Sequence, residues 1–437
     1  MATFKSYFPG GVYPDHYNPP LPGYDYMPFF DEVVNLDTAT QIGTATTTSI
    51  KFGLSNGLKL KIIGTGFAID DDGNAVQGTV TGIVLYLNNG TTKMQQLTGL
   101  NISLESFIDA AEAFDQFGMA AFLMRGNDTI TGNSGEQDLR GYGGNDKFIG
   151  GTGDDYMQGG EGDDSYDGNA GFDTLDFSDA YYTSSAYRGI SVDVAAGKVT
   201  DPYGNSETFT EIESFRGTQF RDVFKGSSAD ETFMGWGGND TINGGGGIDG
   251  VLYHRDDRRG GTGGVTVNLE TGKAKDGFGR TDTLISIENA RTGNAADKLY
   301  GSSGDNRLHA GGGNDTLAGG LGNDILRGEG GKDIFLFNTK LSASTNVDVI
   351  EDFVVADDTI RLDNAIFTKI IGTGTMTSAQ FAKNTTGKAA DASDRIIYET
   401  DTGKLFYDSN GNASGGSVHF ATIHSGLSLT ASDFYIV

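Results

Sequence analysis

The sequence predicts a predominantly all-β chain built on parallel β-roll or β-helix arrays. Three observations carry that prediction. Glycine and aspartate recur on a strict nine-residue beat, as in "GGTGDDYMQGGEGDDSYDG" from Gly150 to Gly168. The eighth position of every beat is apolar or aromatic, for example Ile130, Leu139, Phe148, Met157, Tyr166 and Leu175. Segments between the beats alternate apolar and polar residues at period two, as strands do.

Composition narrows the function class. The 437 residues suffice for two or three domains with a sizeable core. Lys and Arg number 31 against 59 Asp and Glu, a formal charge of -28. That charge argues against nucleic acid or an anionic membrane as partner and for cations. No cysteine is present, which excludes disulfides and thiolate zinc sites. The first thirty residues show no basic segment followed by an apolar run, so no N-terminal signal peptide is expected. No apolar run approaches the roughly 18 residues a membrane span needs.

Residues 1–37 hold six of the seven prolines and many aromatics (Tyr7, Tyr13, Tyr17, Tyr24, Tyr26, Phe29, Phe30), which predicts an extended arm. Residues 38–122 alternate in "LKLKIIGTGFAI" and "TVTGIVLYL", then turn helical around "SLESFIDAAEAFDQF". Ser103, Ser106 and Asp109 supply a helix start, and Phe107, Ala111 and Phe114 share one face. A small β-rich domain with one helix is expected there. The first array covers 123–176 in six beats, the second 217–252 in four, the third 292–337 in five. Two excursions, 177–216 and 253–291, separate them. "ISVDVAAGKVTDPYG" matches "VTVNLETGKAKDGFG" at an offset of 75, and "EIESFRG" and "SIENART" keep that offset, so a unit has been duplicated. Ile190, Val192 and Val194, like Val265, Val267 and Leu269, alternate as in strands. Residues 338–437 lose the glycine beat, and "DVIEDFVVADDTIRL", "DRIIYETDTGKLFYDSNG" and "SLTASDFYIV" read as a β cap.

The beat itself has a physical reading. A six-residue Gly/Asp turn and a three-residue strand make half a coil, and two halves make a coil of eighteen residues. The apolar residue points inward and shares a thin core with its neighbours. The sixth position is Asp in twelve of fifteen beats: Asp128, Asp146, Asp155, Asp164, Asp173, Asp222, Asp240, Asp249, Asp297, Asp315, Asp324 and Asp333. The exceptions, Gln137, Glu231 and Asn306, each fall in the second beat of an array and keep a side-chain oxygen.

Beats two apart lie on the same side, one coil on, at about 4.8 Å. Their acids should stack: Asp128 with Asp146, Asp146 with Asp164, Asp155 with Asp173, Asp222 with Asp240, Glu231 with Asp249, Asp297 with Asp315, Asp315 with Asp333, Asn306 with Asp324, and, as the weakest pair, Gln137 with Asp155. Two bare carboxylates at that spacing repel by about 3.5 kcal/mol at an effective dielectric near 20. A hard divalent cation relieves this. Calcium takes six to eight oxygens at about 2.3–2.6 Å, whereas magnesium is stricter and zinc prefers His or Cys.

At these residues the chain resembles the RTX proteins that Gram-negative bacteria export by type I secretion. The resemblance is strong over the nonapeptides and extends from Leu123 to Val437. It implies aspartate side chains and turn carbonyls as calcium ligands, with Gly151, Gly153, Gly160, Gly162, Gly320 and Gly322 at matching positions. It implies on the order of six to eight calcium ions. The stretch from "KDIFLF" to "DFYIV" resembles the C-terminal portion of serralysin proteases, which implies an uncleaved C-terminal export signal and secretion to the exterior. Low calcium inside a cell then keeps the chain threadable. Outside, each site held tenfold above its Kd adds roughly 1.4 kcal/mol.

No catalytic constellation emerges. A helical His-Glu-x-x-His is absent, since His16, His254, His309, His419 and His424 never take that spacing. "GLSNG" around Ser55 matches a nucleophile string but sits in a short alternating segment, where a hairpin turn is expected. "DDDGNA" at Asp70 and "DSNGNA" at Asp408 lack the glycine and glutamate of an EF-hand, so turns are expected. "YHRDDRR" from Tyr253 reads as a solvated loop, with sugar-acid binding as the sharper alternative, and Trp236 gets the same bland reading. Three functions fit: a non-catalytic matrix, adhesion or surface-layer protein, an extracellular polysaccharide-modifying enzyme using 38–122, or a carbohydrate-binding module.

Overall fold

The computed structural model describes residues 3–6, 40–54, 58–86, 90, 93–113, 116–181 and 185–437. The aromatic arm from Tyr7 to Phe30, the Ser55 turn and Phe114 lie outside the described residues. The chain divides into two compact units, Met1–Gly217 and Thr218–Val437.

In the first unit, Ser49–Gly53, Lys59–Ile69, Ala75–Tyr86 and Lys93–Ser103 form an antiparallel meander. Its apolar alternation buries Leu60, Ile62, Val80, Ile83 and Leu85. Asp70 makes the turn of one hairpin, its Oδ1 accepting the N–H groups of Asp72 and Asn74. Ser103 Oγ accepts the Ser106 N–H at 3.0 Å and starts the helix Leu104–Ala113, which buries Phe107 and Ala110. A second helix, Gln116–Leu123, follows, so two helical segments stand where one was expected. Gly118 and the small residues around it leave that segment with no amphipathic period to announce it. The strand Thr3–Ser6 joins meander to roll: it runs antiparallel to Lys93–Ser103 and parallel to Thr129–Thr131.

From Thr129 the beats coil into a parallel β-roll. One ladder stacks Thr129–Thr131, Lys147–Gly151, Ser165–Asn169 and Ser206–Thr210. The opposite ladder stacks Asp138–Arg140, Tyr156–Gln158, Thr174–Asp176 and Ser214–Arg216. Registers advance by a coil, Ile130 over Phe148 over Tyr166, so the eighth-position residues form one continuous core. Phe148 and Tyr166 stack at 4.8 Å. The excursion does not end the roll. It adds the antiparallel strands Ser191–Asp193 and Lys198–Thr200, then supplies both ladders with their next rung.

The second unit repeats this plan. One ladder runs through its excursion without interruption, from Thr232–Met234 by way of Gly250–Leu252, Asn289–Arg291, Arg307–His309 and Ile325–Arg327 to Asp348–Ile350. The other takes in the antiparallel strands Lys273–Lys275 and Thr266–Asn268 before parallel pairing resumes. The chain end closes the roll: Phe434–Ile436 runs parallel to Thr359–Leu362 and antiparallel to Gly374–Thr375. Phe434, Ile436, Phe367 and Phe420 are buried in this cap. Among the described residues no helix is long and apolar enough to cross a membrane.

Candidate metal centre

The roll brings the sixth-position residues into columns, one per ladder side. The link is the same throughout: the main-chain N–H of one donates to the side-chain Oδ1 of the residue one coil later. It joins Asp128 to Asp146, Asp146 to Asp164 and Asp155 to Asp173, each at 2.7 Å, and Gln137 to Asp155 at 2.8 Å. It joins Asp222 to Asp240 and Glu231 to Asp249 at 2.8 Å. It joins Asp297 to Asp315, Asn306 to Asp324 and Asp315 to Asp333 at 2.7–2.9 Å. One carboxylate oxygen is therefore engaged by backbone rather than left facing its neighbour's charge.

The other oxygen decides the chemistry. Oδ2 of Asp146, Asp155, Asp173, Asp240, Asp249, Asp315, Asp324 and Asp333 is buried with no hydrogen-bond partner. A buried, unpaired carboxylate oxygen is costly unless a proton or cation reaches it. Burial pushes Asp155 up to about 8, helped by the charge of Asp173, and pushes Asp146 to about 8. Burial likewise lifts Asp164, Asp173 and Asp315 to about 7. Carboxyls buried in this way favour a bound proton or a neighbouring cation.

The array starts differ. Glu231 is bound by the hydroxyl and N–H of Ser227, and Asn306 Oδ1 accepts the Ser302 N–H at 2.6 Å. Asn306 Nδ2 donates to the Glu288 carbonyl, and Gln137 Nε2 to the carbonyls of Gly135 and Glu136. Asp222 is bound by Thr218 N–H and hydroxyl, and Asp297 Oδ2 by the Gly293 N–H. Apart from the Asn306 bond to Glu288 one coil back, these bonds lie within each residue's own turn, which is why the second beat tolerates Gln, Glu and Asn.

Glycine makes the columns possible. At position one, a Cβ on Gly150 would sit 2.7 Å from Asp155 Oδ2, and one on Gly159 would overlap Asp164. At Gly151 (φ 134°) and Gly160 (φ 91°) the backbone is left-handed, and a Cβ would overlap the carbonyls of Asn133 and Tyr142 one coil back. Gly162, Gly320 and Gly322 repeat this contact, and Gly153 abuts Gly135 in the same way.

Five column members escape a nine-residue count. Asp173 N–H donates to Glu213, Asp240 to Asp282, Asp249 to Glu288, Asp324 to Asp348 and Asp333 to Asp358. Each continues a column where the beat has stopped. The 75-residue offset, which superposes Glu213 on Glu288 and Glu207 on Asp282, carries the sequence signal for the excursion members and none for Asp348 and Asp358.

Two bland readings are revised. In "YHRDDRR", Tyr253 and Asp256 are 1 % and 2 % exposed, not solvated. Trp236 is buried at φ 60° with the Arg259 guanidinium 4.6 Å over its ring. Among the described residues no three His, Asp or Glu side chains already form a metal cluster. An ion in the columns would take carboxylates from successive coils and complete its shell with turn carbonyls or water, an all-oxygen set that suits calcium.

The RTX calcium-binding nonapeptide repeat (4 copies) matches residues 124–136, 140–175, 216–251, 291–326 and 300–335. No curated protein matches the chain. Among solved structures, the extracellular lipase LipA from Serratia marcescens matches at 16 % identity, over 71 % of this chain and 38 % of the lipase, with a TM-score of 0.15. This chain thus spans well under half of that lipase. The glycine-aspartate arrays of this chain are RTX calcium-binding nonapeptide repeats, folded as a β-roll.

Proposed function

We propose that the chain is a secreted protein that folds on calcium after type I export and acts outside a Gram-negative cell without catalysis, in a matrix, adhesion or surface-layer role. The observation that carries it is the set of buried, unpartnered Oδ2 atoms repeated coil after coil. Asp146, Asp155, Asp164, Asp173, Asp240, Asp249, Asp315, Asp324 and Asp333 hold the ions in this reading. Asp128, Asp222, Glu231, Asp297 and Asn306 close the columns at their ends. On the order of six to eight ions fit the number of coils. The ions neutralise the acid columns, and the chain's own residues then fix the coil spacing through their N–H to Oδ1 links. The C-terminal strand serves as the export signal before it docks, which fits its resemblance to serralysin tails.

Equilibrium dialysis of the full chain against calcium, followed by incubation with bacterial and plant polysaccharides, tests this. Calcium uptake with neither turnover nor retention of glycan supports the reading. Turnover supports a polysaccharide-modifying enzyme, and retention without turnover a carbohydrate-binding module.

A further inference from the structure

The second excursion contains a buried acidic nest that the nonapeptide pattern does not account for. Asp256, Asp276 and Asp282 are 2 %, 1 % and 0 % exposed. Asp256 Oδ1 and Asp276 Oδ2 are both buried without a hydrogen-bond partner. The remaining oxygens are fixed by neutral donors. Gly277 N–H reaches Asp256 Oδ2 at 3.0 Å, Arg280 N–H reaches Asp276 Oδ1 at 2.6 Å, and Tyr253 hydroxyl reaches Asp282 Oδ2 at 2.9 Å. Asp282 Oδ1 accepts the N–H of Asp240, which itself carries an unpartnered Oδ2.

The backbone is built to bring these groups together. Gly261 N–H donates to the Asp256 carbonyl and Gly263 N–H to the Gly277 carbonyl, which ties the 256–263 loop to the turn at 276–279. A Cβ on Gly261 would lie 2.8 Å from the Phe278 ring, and one on Gly277 would lie 3.0 Å from Asp256 Cβ and 3.1 Å from its Oδ2. Asp276 is among the charges that raise the carboxyls of Asp240, Asp256 and Asp282. A cavity of about 270 Å³, lined in part by Asp256, Asp257 and Asp297, opens beside Asp256.

The first excursion shows the contrast. Asp201, 75 residues before Asp276, has its Oδ2 satisfied by Asn205 Nδ2 at 3.0 Å. Arg280 stands at the equivalent place and makes no such bond to Asp276 Oδ2. The acid is kept in both copies, and in the second its Oδ2 is left without the partner it has in the first.

From this geometry we infer that the second excursion holds its own hard divalent cation, of the calcium class, with Asp256 and Asp276 as its carboxylate ligands and Asp282, fixed by Tyr253, as their support. No three acids close on one point as folded, so main-chain carbonyls or water complete the shell. The inference rests on the calcium reading of the arrays but concerns an ion outside them. It makes the excursion a second kind of calcium-dependent joint within one roll.

The test uses the full chain with D256N/D276N, with calcium as the probe. Calcium bound at saturation is measured by equilibrium dialysis, sheet content by circular dichroism, and melting in saturating calcium. The expected result is one fewer ion per chain with sheet retained and a lower melting temperature. An unchanged stoichiometry with native sheet overturns the inference whatever the melting temperature, since a purely structural pair lowers melting without losing an ion. If the double variant does not fold, D276N alone is read in the same way, and its failure to form sheet at saturating calcium overturns the site. Wild-type chain that binds no calcium would instead sink the reading of the arrays.

Discussion

The main-chain N–H of Asp155 donates to Oδ1 of Asp173 at 2.7 Å, eighteen residues on. Both residues then hold an Oδ2 that no donor reaches. The bond sets the coil spacing, and the spare oxygens set the need for a cation. The link and the spare oxygen thus recur together down the columns.

Removing two inner acids should raise the calcium requirement. D155A/D164A is expected to shift the midpoint of a calcium titration upward, since each lost site forgoes about 1.4 kcal/mol at ten times its Kd. Far-UV circular dichroism reads this through sheet content. An unchanged midpoint removes these residues from the ligand set.

Acid should partly replace calcium. The folded, ion-free carboxyls of Asp146 and Asp155 stand near 8 and those of Asp164, Asp173 and Asp315 near 7, against about 3.9 in an unfolded chain. A raised folded value means the folded state binds protons more tightly. Its stabilisation is complete below about pH 4 and is lost as pH rises through 7 to 8. In chelator, sheet content should therefore rise from pH 8 to pH 5.5. In saturating calcium the melting temperature should instead fall over that range, because protons then compete with the ion. A chelated sample with equal sheet content at both pH values contradicts this.

Glycine at position one should be intolerant of a methyl group. Gly150→Ala places Cβ 2.7 Å from both Asp155 Oδ2 and the Gly168 carbonyl oxygen. Overpacking of this kind costs about 1–3 kcal/mol. Gly246→Ala meets nothing within 4 Å and should stay within about 0.5 kcal/mol of the parent. Paired thermal melts in calcium measure the difference.

The cap should matter to the last coils. Phe434 is fully buried on a strand hydrogen-bonded on both sides. Phe434→Ala is expected to cost about 3–5 kcal/mol, read by calcium-saturated denaturant unfolding.

Much of this was legible in the residues. The nine-residue beat places Asp146 over Asp164 because a coil is an integral number of beats, so one count gives both core and columns. What the count cannot see is where a column ends. Glu213 and Glu288 lie near the ends of excursions of irregular length, and Asp348 and Asp358 follow coils of 24 and 25 residues rather than eighteen. Nor does it show that Glu231 and Asn306 bind Ser227 and Ser302, a local pairing decided by turn geometry. Asp256 misleads for a different reason. Its neighbours Arg255, Asp257, Arg258 and Arg259 look solvated, yet Gly261 and Gly277 let the loop fold against the sheet and bury it. The second helix, Gln116–Leu123, was hidden because its apolar residues show no helical stripe.

The most direct test is sheet content of the full chain at pH 8 in excess chelator, followed by stepwise calcium. The account predicts little native sheet at first, then a cooperative gain that magnesium does not reproduce. Complete native sheet in the thoroughly chelated sample would contradict it, because the acid columns would then be stable without any ion between their coils.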